Sequence, residues 1–313
     1  MNEEIITSGR MNPKVDPQLH IWGWEIPLYL FLGGLAAGIL FFAAFYYLKN
    51  RDKEMPTTVK IAPLITPLLL IFGLLALFLD LNHKLYFWRL YTTIKLESPM
   101  SWGAWTLMVI TPLSMIWSAT FVRELYPKWD WKFKWLYDLE SFFIANRKIL
   151  AWIMVFFSVI LGIYTGILLS AFNARPLWNT SILGPLFLAS GLSAGAAYIM
   201  MTSNNNLERK LFSQIDLVLI GIELFLIIHM FMGFLASTEV QIEAARLFLG
   251  GPYTLPFWTI AVFTGMIVPG ILEYLEIRGR RIPAYIPGLL IIMGNISLRF
   301  IIVYAGQASR YLY

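Results

Sequence analysis

Eight apolar stretches, each about as long as a membrane-crossing helix, take up most of the 313-residue chain. A helix needs roughly 20 mostly apolar residues to cover the hydrocarbon core of a bilayer. The stretches run from Trp24 to Leu48, Ala62 to Asp80, Trp102 to Val122, Ile149 to Phe172, Ser181 to Met201, Ile215 to Ala236, Leu255 to Leu275 and Pro283 to Tyr304. Open strands would leave backbone groups unpaired in lipid, and none of the stretches shows the alternation of a barrel strand, so each reads as a helix. Only 14% of the residues are charged, against roughly 25% in soluble domains. The expected fold class is an all-α integral membrane protein with eight transmembrane helices.

The chain has no cysteine. It therefore cannot form a disulfide, hold an iron-sulfur cluster through thiolates or build a cysteine zinc site, so no cluster or metal is expected in it. The N-terminal MNEEIITSGRMNPKVDPQLH lacks a basic start followed by an apolar core, so no cleavable signal is expected and the first span directs insertion. A pI near 9.3 reflects loop charge bias rather than nucleic-acid binding.

The loops carry that bias unevenly. Fifteen of the 24 Lys and Arg residues, among them Lys49, Arg51, Lys60, Arg123, Lys134 and Arg147, fall on one side. Eight fall on the other, and Arg299 lies within the last span. The positive-inside rule then predicts both termini outside, in a multi-pass protein of the inner (cytoplasmic) membrane. The loop from Arg123 to Lys148, rich in Trp, Tyr and Lys, reads as an interfacial segment at headgroup depth.

A short motif repeats half the sequence apart. Gly34-Leu35-Ala36-Ala37-Gly38 in the first span recurs as Gly191-Leu192-Ser193-Ala194-Gly195 in the fifth, and such small residues let helices approach closely in lipid. With eight spans, this predicts two parallel four-helix bundles: residues 24–172, then an outer loop at 173–180, then residues 181–313, all preceded by an outer segment at 1–23.

The stretch between the second and third spans concentrates unusual residues. Asp80-Leu81 and Phe87-Trp88 are followed by Ser98-Pro99-Met100-Ser101-Trp102-Gly103-Ala104-Trp105. Upstream lie Trp22-Gly23-Trp24 and the run Tyr29 to Gly38; downstream lie Tyr164 to Ala171, Pro176-Leu177-Trp178-Asn179-Thr180, Leu298-Arg299-Phe300 and Val303 to Gln307. In order and spacing this set resembles the NrfD/PsrC family of membrane subunits, which exchange electrons between quinones and an iron-sulfur partner. Asn82, His83 and Lys84 stand where the family usually has Gly-Arg-Pro, which withholds any role tied to those positions. The resemblance implies a quinone (menaquinone or ubiquinone) as cofactor, a ferredoxin-like iron-sulfur subunit on the outer loops, and a catalytic subunit often of the molybdopterin type. Terminal substrate chemistry is then expected in the partner. The family lines its quinone pocket with polar residues at the start of the first helix and a tyrosine of the fourth, which implies Glu25, Tyr29 and Tyr164 here.

Ionisable side chains within spans are costly and mark functional candidates. Glu25 and Tyr29 are four apart and share a helix face. They can present an acceptor and a hydroxyl to one ligand; the competing reading places Glu25 in the headgroup layer and Tyr29 in the aromatic belt. A quinone needs hydrogen-bond partners at two carbonyls, an apolar slot, and two protons with its two electrons, so Glu25 and Asp80 are the candidate proton-exchanging groups. Asp80 can instead form a structural ion pair with Arg89 or Arg299. His83 reads as an interfacial residue at the quinone end. Asp216 and Glu223, seven apart, share a stripe on the sixth span, where the choice is a proton path or carboxyls hydrogen-bonded to a neighbouring helix.

Two other readings remain to be weighed. Of the histidines His20, His83 and His229, no two share a stripe, leaving one haem between His83 and His229 as the only arrangement; no haem is expected. A secondary transporter fits paired halves and intramembrane carboxylates, but the polar groups crowd one side instead of meeting at the midplane. The preferred function is a quinone-reactive membrane anchor of a multi-subunit oxidoreductase, with proton translocation as a further option.

Overall fold

The computed structural model describes residues 22–309. Eight of its helices are long and apolar enough to cross a membrane: α1 (Glu25–Leu48), α2 (Thr57–Asp80), α3 (Pro99–Leu125), α4 (Arg147–Ser170), α5 (Leu183–Thr202), α6 (Asn206–Leu235), α7 (Thr254–Ile277) and α8 (Tyr285–Ala308). The described residues contain no strand. All eight spans fall where the sequence places them, with the largest differences at the starts of α2 and α6. The segment expected at residues 1–23 lies outside the described residues up to residue 21, as does His20.

Both early starts have one cause. Asn205 caps α6, its Oδ1 accepting from the Leu207 N–H at 3.0 Å. Glu208, three residues on, is fully buried and reaches across to α2, accepting from the backbone N–H groups of Thr57 at 3.0 Å and Thr58 at 3.3 Å and from the Ser203 hydroxyl. One carboxylate thus satisfies donors that a helix start leaves open.

Within α2, Pro63 and Pro67 lack the N–H groups that would bond the carbonyls of Val59 and Pro63. Trp117 Nε1 of α3 donates to the freed Val59 carbonyl at 3.1 Å, and Ser118 Oγ donates to that of Pro63 at 3.2 Å. The prolines therefore break the regular ladder and lock α3 to α2 in the same step.

Helices α1 and α5 form the centre. The most apolar window of each is 78% buried, against 33% in α2 and in α7. They cross at the repeated glycines: Gly38 rests on the backbone of Gly191 and Leu192, and a Cβ at Gly191 would lie 2.8 Å from the Gly34 carbonyl oxygen. The neighbours of α1 are α2, α4, α5 and α8, and those of α5 are α6, α8, α1 and α4. By contrast α2 and α6 turn apolar stripes outward, with Leu68, Phe72, Leu75 and Leu79 on one and Val218, Ile222, Phe225 and Met232 on the other.

The two ends of the fold differ in chemistry. At one end Lys60 of α2 and Arg147 of α4 both pair with Glu124 of α3, each at 2.8 Å, and Arg123 pairs with Glu140 at 3.0 Å. At the other, Gln307 of α8 clamps the backbone of Trp22, its Oε1 accepting from the Trp22 N–H at 2.9 Å and its Nε2 donating to the Trp22 carbonyl at 3.0 Å. Trp22 stacks there with Phe172 and Trp178.

Candidate functional site

Glu25 opens α1 and Asp80 closes α2, so antiparallel packing brings the two carboxyls to one end of the fold. Glu25 folds back over Gly23, where any side chain would collide with its carboxyl. Its charge lies within electrostatic range of Asp80.

One turn below Glu25, Tyr29 is 2% exposed and its hydroxyl has no hydrogen-bond partner. Its neighbours are Tyr164 of α4 and Tyr91, on the short helix Arg89–Thr92. Three phenols from three elements thus meet around one buried hydroxyl. Burial pushes the Tyr91 hydroxyl above its usual value, which keeps it a neutral donor.

The Ser98–Trp105 block builds this environment. Gly103 of α3 faces the Tyr164 ring, whose phenol carbons and oxygen fill the space of a would-be Cβ. Around it, Ser101 Oγ donates to the Thr93 carbonyl at 3.4 Å, Trp102 Nε1 to that of Leu96 at 2.9 Å and Trp105 Nε1 to that of Tyr91 at 3.3 Å. Three side chains of one helix start therefore hold the preceding loop, and the glycine among them admits the tyrosine. The sequence marks the block as a motif; these roles emerge only from the packing.

Asp80 and His83 line a groove of about 510 Å³ formed by residues 79–86. That volume is in the range of small-molecule pockets. His83 is exposed. His229 is also exposed, stacked on Phe225 along the outward stripe of α6.

The candidate ion pair of Asp80 is not formed among the described residues. Arg89 lies over the rings of Tyr86 at 4.8 Å and Trp88 at 5.7 Å, and among the described residues no ion pair joins Asp80 to Arg89 or Arg299. Arg299 is fully buried and spends its donors elsewhere: on the Leu30 carbonyl at 3.3 Å, the Ser190 hydroxyl at 2.7 Å, the Asn295 side-chain oxygen at 2.9 Å and the Phe187 carbonyl at 3.3 Å. It joins α1, α5 and α8 one residue from Tyr29. Asp216 and Glu223 are both buried on α6, a helix that contributes no residue to the Tyr29 cluster. Among the described residues no group of three or more His, Cys, Asp or Glu side chains has metal-binding geometry.

The family described as "Polysulphide reductase, NrfD" matches residues 12–309. The chain belongs to the NrfD family. A polysulfide reductase component from Wolinella succinogenes is 31% identical over 304 residues, covering 92% of this chain and 94% of that protein. Protein NrfD of Escherichia coli is 29% identical over 304 residues, covering 92% and 96%. A selenate reductase component from Mesobacillus selenatarsenatis is more distant, 23% identical over 315 residues, with 90% and 73% covered. This NrfD-family protein is a multi-pass integral membrane protein, and its relatives include subunits of reductase complexes.

Proposed function

We propose that this chain is the quinone-reactive membrane subunit of an oxidoreductase complex. Quinone or quinol binds at the end of the helices where Glu25, Tyr29, Asp80, Tyr91 and Tyr164 converge, and its electrons pass to an iron-sulfur subunit docked on that face. Residues 24–172 supply the site, and the described residues from 181 onward form the second bundle behind it. By the loop-charge argument this end faces the outer side of the inner membrane. The terminal chemistry takes place in a further subunit, as the reductase subunits among the relatives suggest; the family resemblance implies that it is of the molybdopterin type.

One observation carries the reading. The Tyr29 hydroxyl is buried with no partner, and a buried donor left unpaired costs about 1–3 kcal/mol. A quinone carbonyl would remove that cost, Tyr164 and Tyr91 offer further donors, and Glu25 and Asp80 can exchange the two protons of turnover. The loop beside the site exposes Leu85, Trp88, Ile94 and Leu96 outside the spans, apolar area suited to a docked subunit. The bound quinone supplies the redox chemistry; the residues orient it, exclude water and hold protons.

The test is to isolate the intact complex in mild detergent, identify its subunits by mass spectrometry and titrate a quinol analogue. A stoichiometric Cys-rich subunit, with saturable analogue binding that weakens in Tyr164→Phe, is expected. A protein purified without redox partners and binding no analogue would contradict the proposal and favour a transporter.

A further inference from the structure

Glu273, on α7, lies outside the site described above, and no spacing argument singles it out. It is fully buried, as are Asp216 and Glu223 of α6, and none of the six carboxyl oxygens is paired with a cation or a backbone N–H. The three acids nonetheless adjoin one another: Asp216 neighbours Glu273 and Ser193 of α5, and Glu223 neighbours Ser193, Asp216 and Arg299. Burying one unpaired carboxylate costs several kcal/mol or more, and three together repel. Arg299 is a single positive charge against three acids, and its donors go to Leu30, Ser190, Asn295 and Phe187, so it makes no ion pair with any of the three.

A polar pair lies between the cluster and the end of the helices. Ser213, one turn before Asp216, donates to Glu276 Oε2 at 3.2 Å. Glu276 shares a face of α7 with Glu273, three residues away, and lies partly exposed in the last turn of that helix. Along α6, Asp216 and Glu223 stand roughly 15 Å and 26 Å from the start of the helix at Asn206. The acids therefore step inward from the end opposite Glu25 and Asp80, and stop beside Arg299.

We propose that Asp216, Glu223 and Glu273 form an intramembrane proton-binding site that exchanges with the face opposite the quinone end through Glu276 and Ser213. Binding adds one proton to one carboxylate and release returns it; no other bond changes. Arg299 lies within electrostatic range of Glu223 and donates to the Leu30 carbonyl, in the turn of α1 that carries Tyr29. On the quinone reading, that contact lets redox turnover load and discharge the protons.

The test is infrared spectroscopy of the purified complex in lipid, in water and deuterium oxide. At neutral pH the complex shows the C=O stretch of protonated carboxyls, the band diminishes in Asp216→Asn and in Glu273→Gln, and Glu276→Gln slows its deuterium exchange by roughly 10²-fold, the scale of a lost proton-transfer group. Absence of the band in the unaltered complex overturns the site, a measurement that needs no variant to fold. A band unchanged in both variants also overturns it, and exchange unaffected by Glu276→Gln overturns the route. Quinol-analogue binding measured on the same samples tests the quinone reading separately, because the band does not depend on it.

Discussion

The ring of Tyr164 on α4 lies against Gly103 on α3, in space that any side chain at position 103 would occupy. A glycine within an apolar helix forgoes packing and rigidity; here it makes room for the Tyr164 phenol in the neighbourhood of Tyr29. Gly103→Ala should therefore push the Tyr164 ring away, destabilise the fold by about 1–3 kcal/mol through overpacking, and weaken quinol-analogue binding more than Tyr164→Phe does. Thermal unfolding and analogue titration check both parts. Equal binding in Gly103→Ala and the unaltered protein would separate the tyrosine from the site.

Tyr29→Phe is expected to have effects of opposite sign. Removing a buried hydroxyl that has no partner should stabilise the ligand-free protein by about 1 kcal/mol. The same change should weaken quinone binding by up to about tenfold, the value of one hydrogen bond. Unfolding midpoints with and without bound analogue measure this: the variant starts higher and gains less.

Arg299→Lys tests whether the buried guanidinium serves as a fork or only as a charge. Its donors reach acceptors on α1, α5 and α8, and an ammonium cannot span them. A loss of about 2 kcal/mol or more in stability is expected although the charge is kept. A change within about 0.5 kcal/mol, the ordinary scatter of surface substitutions, would show that the fork does not bind the three helices.

Glu208→Ala should destabilise without touching the chemistry. Its carboxylate accepts from Thr57, Thr58 and Ser203 at the end remote from Tyr29, so its removal leaves buried donors unpaired at a cost of about 1–3 kcal/mol each. The analogue Kd should stay at the unaltered value, and Glu208→Gln, which keeps an acceptor, should lose less stability.

The spans are legible in the sequence because lipid leaves a helix few alternatives, and Glu25, Tyr29, Asp80 and Tyr164 can be grouped because depth in the membrane sorts residues by helix direction. What sequence reasoning misses is whatever depends on which faces meet. Arg299 reads as a partner for Asp80 because both are ionisable, yet its donors go to carbonyls and hydroxyls of adjacent helices. Glu273 escapes notice because its companions Asp216 and Ser193 lie on other helices, where spacing along one segment says nothing. The early starts of α2 and α6 are hidden for a similar reason: their polar first turns are satisfied by Glu208 and Asn205, not by apolar content. The glycine repeat marks a close helix approach, since Gly34 and Gly38 meet Gly191 and Gly195 in space.

The central claim is that quinone binds where α1, α2 and α4 converge. Photoaffinity labelling of the intact complex with an azido-quinone, followed by peptide mapping, tests it most directly. Labelling of peptides carrying Tyr29, residues 80–91 or Tyr164, suppressed by excess quinol analogue, is the predicted result. Competable labelling confined to α5–α8, or none that excess analogue suppresses, would contradict it.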